Sequence, residues 1–149
     1  MHTSPAAPEP PPAVGAERTL TLLLKALALA ECTAAIGVVM PAAIMAQITT
    51  RLGLAPFPEG PLAPYLARSL AAMYVIHGGF AWVTACNVRA YGAFVRYLAG
   101  SGIAYSVLIT LLDIQAGFPW YWWVGEGPFL TLLSLALLVL QRRVHGSNG

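Results

Sequence analysis

The chain has 149 residues, of which 58% are hydrophobic and only 9% charged, with a formal net charge of +2. Soluble domains carry about 25% charged residues, and the mean hydropathy here is +0.69. This length cannot bury so much apolar surface in a soluble core, so lipid is the expected solvent. The cations are scattered, with no basic run or basic helix face, which excludes nucleic acid as an expected partner.

Residues 1–18 are expected to form a disordered tail. Pro5, Pro8, Pro10, Pro11 and Pro12 stand there among alanines without a hydrophobic period, a composition that favours extended, polyproline-like chain. The first apolar segment spans about 19–40. It is too long for a signal-peptide core, and Ala43 and Ala46 offer only a poor cleavage site. Pro41 ends it. The segment from Ala42 to Leu54 carries Gln47, Thr49, Thr50 and Arg51, and reads either as a helical extension or as an interfacial helix. A proline-rich loop follows.

The second span is expected over 64–86, with proline near its start, where it is tolerated. The short link from Asn87 to Ala90 leads to a third span over 91–114, which Gly117 and Pro119 terminate. The fourth spans 120–140 and contains Gly125, Glu126, Gly127 and Pro128, expected to kink it or leave its first turn irregular. Residues 142–149 form a short C-terminal tail. Each span is near the roughly 20 residues needed to cross hydrocarbon as helix. The fold class is therefore all-α, a polytopic four-helix transmembrane bundle over 19–141, whose first partner is the lipid bilayer.

Arg18, Lys25, Arg89, Arg96, Arg142 and Arg143 fall on one side of such a bundle, with Arg51 and Arg68 on the other. The positive-inside rule then places both termini in the cytoplasm of a multi-pass cell-membrane protein. Aromatic residues from Phe118 to Trp123 would mark the outer interface.

Small and polar residues recur at helical spacing, a pattern that lets helices approach closely in lipid. Ala26, Ala30, Ala34 and Gly37 form one such face. Ala67, Ala71, Tyr74, Gly78, Ala81 and Ala85 form the second. Gly92, Arg96, Ala99, Ser106, Thr110 and Asp113 form the third. Cys32 and Cys86 are expected as inert buried thiols, with neither a disulfide nor a metal site.

Intramembrane ionisable groups need partners. Glu31 and His77 stand at similar depth near the bilayer middle and are expected to share a hydrogen bond or a proton. The first reading of such a pair is a buried polar clasp between helices; the functional one is a proton relay or a ligand contact. Arg68 and Glu126 form a second expected pair in the outer leaflet, with Asp113 as second-choice acid for Arg68. That pair reads first as a staple between helices; its functional version is an outward-facing pocket for an anionic or quinone-like head group, with Trp120, Trp122, Trp123 and Tyr74 as its walls. Asp113 is expected at the wet outer boundary.

Ala67-Arg68-Ser69-Leu70, Tyr74, His77-Gly78-Gly79 and Gly125-Glu126-Gly127-Pro128 resemble the uncharacterised small bacterial membrane proteins of the broadly DoxX-like four-helix type. That resemblance implies an inner-membrane bundle, and quinone-linked oxidoreductase subunits occur in the type. This chain has neither a CxxC nor a haem-ligand pair of histidines. No catalytic motif is present, so an enzyme is not the expected reading. Three functions compete. One is a non-catalytic accessory subunit with a membrane-protein partner or a second copy of itself. Another is a quinone-linked or proton-handling protein using Glu31 with His77 or Arg68 with Glu126, where a quinone or lipid would be the bound molecule. The last is an oligomeric small-molecule transporter.

Overall fold

A computed structural model describes residues 12–146. Most of the expected tail and residues 147–149 lie outside the described residues. The elements are all helical: α1 (Pro12–Cys32), α2 (Ala35–Val39), α3 (Ala42–Arg51), α4 (Leu62–Cys86), α5 (Gly92–Gln115) and α6 (Trp120–Gly146). Four stretches are long and apolar enough to cross a membrane: Val14–Val39, Leu62–Cys86, Gly92–Gln115 and Trp120–Gly146. The chain is an integral membrane protein built as an all-α bundle.

Two boundaries differ from expectation. The first helix begins at Pro12, not near Thr19, because proline fits a first helical turn and Ala16 and Leu20 are buried in the core. The fourth passes the expected tail boundary and reaches Gly146, because Gln141 and Val144 are buried against neighbouring helices.

The first span is interrupted. Thr33 Oγ1 donates to Ala30 O at 2.6 Å, and the Ala34 N–H goes to Glu31 O, three residues back. Such threonine back-bonding tightens and bends a helix. Met40 then turns extended, φ −65° and ψ 129°, as a residue before proline should. The segment after Pro41 is thus a separate helix, α3. Its end is tied to the start of α6 by Tyr121 Oη, which donates to Leu52 O at 2.6 Å.

The tightest packing joins α5 to α6, followed by α1 to α4, α1 to α6 and α2 to α4. The buried residues on α5 include Gly92, Ala99, Ser106 and Asp113, and on α6 Gly127, Ser134 and Gln141. Both sets repeat every seven residues, the spacing that holds one seam on a partner helix. Ser106 Oγ and Thr131 Oγ1 bridge the seam at 2.7 Å. The small face of the third span is therefore a packing seam, as its spacing implied. Arg96 stands outside it, exposed.

The small face of α4 also points inward: Gly78, Ala81 and Ala85 are buried. The first span corrects its expected face. Ala16, Leu20, Leu24 and Ala28 are buried, while Ala26 and Ala30 are exposed; of the expected face Gly37 does meet α4, where a Cβ would stand 3.1 Å from Ala71 Cβ. In lipid an exposed leucine carries no penalty, so residue size alone did not reveal which face turns inward. Cys32 and Cys86 are free but exposed, not buried.

At the end where α4 and α5 are linked, Leu20, Leu24, Ala85, Val88, Val95, Leu137 and Val144 form a shared core. Arg89 donates from Nε to Glu17 Oε2 at 2.9 Å and fastens the link to α1. Beyond the link the α4 and α5 backbones diverge, meeting through side chains such as Phe80 edge-on to Phe94 at 6.5 Å between ring centroids, and the gap between them becomes a cavity.

Candidate functional site

Gly78 sets the geometry of the site. A Cβ there would stand 2.9 Å from Ala28 O and 3.1 Å from both Glu31 Cβ and Cys32 Sγ. Its absence lets the α4 backbone lie directly on α1 beside Glu31. His77 Nδ1 then meets Glu31 Oε1 and Oε2, each at 2.8 Å. The expected midplane pair is formed. It is not sealed in a helix seam, since the His77 side chain is 43% exposed against 13% for Glu31.

Both residues line a cavity of about 640 Å³. Its walls come from all four spans: Leu27 of α1, Met73 and Tyr74 of α4, Tyr105 of α5, and Phe129 and Leu133 of α6 are among them. The lining is mostly apolar. Leu70, Met73 and Phe129 belong to it and are exposed, which leaves it open to the surroundings. Glu126 also lines it, with Gly125 beside it. Tyr74 lies beside Tyr105 and within electrostatic reach of both Glu126 and Glu31. One apolar chamber thus holds two carboxylates, an imidazole and two phenols. Its size suits a small organic ligand.

The second expected pair is not formed. Arg68 Nη2 donates instead to Met40 O at 3.0 Å, a carbonyl left without a helical partner where the chain turns extended at Pro41. No ion pair joins Arg68 to Glu126. A guanidinium needs an acceptor, and the broken helix supplied one nearer than an acid two helices away. Nor does Asp113 take the role of partner to Arg68. Asp113 is not at a wet edge either: it is 4% exposed, and its Oδ2 has no hydrogen-bond partner. It lies within electrostatic reach of Glu126. Trp120, Trp122 and Trp123 are not among the cavity walls, whereas Tyr74 is. Trp120 is 70% exposed and packs on Tyr121, as an interfacial residue does.

Tyr105 and Phe129 belong to the site and were not singled out from the sequence. A phenol in the middle of an apolar span was the only available signal for Tyr105. Among the described residues no group of three or more His, Cys, Asp or Glu is placed to hold a metal ion.

Comparisons with protein families, with curated proteins and with solved structures find no match to this chain. Its function must be argued from the cavity alone.

Loss of the Arg68 contact gives a modest, readable effect. Arg68→Ala should lower stability in detergent by about 1–2 kcal/mol, because Met40 O loses a charged donor. Arg68→Lys should retain part of it. Thermal unfolding of the solubilised protein checks this, and an Arg68→Ala variant as stable as the parent would contradict the cap.

Proposed function

We propose that this membrane protein takes a lipid-soluble small molecule into the chamber between α4 and α5, where the Glu31–His77 pair binds its polar group and exchanges a proton with it. The observation that carries the reading is the orientation of that pair. A structural clasp needs no exposure, yet His77 is turned into an open, mostly apolar chamber. Imidazole and carboxylate in contact can pass a proton between them and to a bound group. A non-catalytic accessory role comes second because it gives the chamber no task. A transporter would use the same chamber as its binding site.

Native mass spectrometry of the gently solubilised protein tests the reading. A stoichiometric amphipathic adduct is expected, and Phe129→Trp, which crowds the chamber, should reduce its occupancy. A stoichiometric protein partner with no small-molecule adduct would instead establish the accessory role and end this reading.

The orientation we propose has both termini and the Asn87–Ala90 link in the cytoplasm, from the six cations on that side. Cys32 and Cys86 are exposed and must be replaced before labelling. In that background Asn148→Cys should resist a membrane-impermeant thiol reagent in intact cells, and Glu59→Cys should react. Labelling of residue 148 from outside would reverse the topology.

A further inference from the structure

Charge decides which ligands such a chamber accepts. Among the described residues every ionisable group that lines it is an acid, a phenol or the single imidazole: Glu31 from α1, Tyr74 and His77 from α4, Tyr105 from α5 and Glu126 from α6. Buried Asp113 adds a further carboxyl beside Glu126. Three of the chain's eight lysines and arginines are engaged elsewhere. Arg68 binds Met40 O, Arg89 binds Glu17, and Lys25 Nζ stands 5.5 Å from the Trp82 ring centroid. No lysine or arginine lines the chamber. An anionic head group, which the sequence suggested when Arg68 was placed beside Glu126, has no counter-charge here.

We infer that the chamber selects lipophilic organic cations and protonated amines. The inference rests on the reading of the chamber as a ligand site, and adds the sign of the ligand's charge. Leu70, Met73 and Phe129 accept the apolar body of such a molecule. Phenol faces attract a cation through the ring quadrupole. Even with Glu31 and a protonated His77 cancelling each other, Glu126 lines the chamber as a second acid that can balance a positive charge. A bound cation favours the ionised form of each nearby carboxyl, so binding releases protons and tightens as pH rises. A protonated His77 opposes the ligand, and its deprotonation acts in the same direction.

The test uses two probes of one shape and opposite charge, tetraphenylphosphonium and tetraphenylborate, with the full chain in neutral-lipid nanodiscs. The phosphonium should bind with an affinity that rises with pH and with proton release into weakly buffered solution. The borate should bind at least about tenfold more weakly, the scale of one unbalanced charge at short range. Glu126→Gln should weaken the phosphonium by about tenfold. That variant leaves the Glu31–His77 contact in place, and its thermal unfolding reports folding separately. Equal binding of both probes, or preference for the borate, overturns the inference while leaving a ligand chamber. Affinity unchanged by pH and by Glu126→Gln also overturns it. Binding of neither probe, with a neutral adduct found by mass spectrometry, overturns the charge assignment alone. Binding of neither, with no adduct, overturns both.

Discussion

Gly127→Ala should destabilise the α5–α6 pair by about 2–3 kcal/mol, the cost of forcing a methyl into a filled site. A Cβ at Gly127 would collide with Thr110 Oγ1, and it would stand 3.0 Å from Ser106 O and 3.1 Å from Thr110 Cβ. Thr110 cannot turn aside without loss, because its hydroxyl donates to Ser106 O at 2.7 Å. Ser106 O is backbone and moves only with the helix. Alanine has a higher helix propensity than glycine by about 1 kcal/mol, which is too little to offset the collision. Thr110→Ala in the same chain removes the worst contact and should restore part of the stability. Restoration stays incomplete because Ser106 O and the Cβ at position 110 remain. Thermal unfolding in detergent reads both variants against the parent. A Gly127→Ala protein as stable as its parent would show that α5 and α6 do not approach so closely.

Removing one member of the midplane pair is the second large effect. Glu31→Leu leaves His77 Nδ1 without the carboxylate it meets at 2.8 Å. A lost charge-assisted hydrogen bond with one partner stranded costs about 2 kcal/mol. Glu31→Gln should cost less, because an amide oxygen still accepts from Nδ1–H. Replacing both, Glu31→Leu with His77→Leu, should recover stability, since no polar group is left unpaired. That double variant separates structure from function. If it folds well and its small-molecule adduct disappears, the pair serves the ligand. If Glu31→Gln and Glu31→Leu unfold at the same temperature, the hydrogen bond contributes nothing and the pair is not a contact.

Length and hydropathy were enough to define four membrane spans, because a helix that crosses hydrocarbon must hide its own backbone and present about 20 apolar residues. The inward faces of the second and third spans were legible too, because Gly78, Ala81, Ala99 and Ser106 are small where helices touch. Glu31 and His77 were legible as partners, because each lay at the same depth and needed one. Depth is a coordinate that a sequence carries. Azimuth is not. Arg68 and Glu126 also share a leaflet, yet the rotation of α4 turned Arg68 towards the break at Pro41. That break depended on Met40 becoming extended and on a free carbonyl that no side-chain pattern advertises. Which leucines of α1 turn inward was equally hidden, since lipid and protein interior solvate them alike. The chamber itself belongs to tertiary structure. It exists because α4 packs its backbone closely on α1 and α5 on α6, while α4 and α5, adjacent in sequence, meet mainly through side chains. That separation brought Glu126 and Tyr105 to the same space as the Glu31–His77 pair.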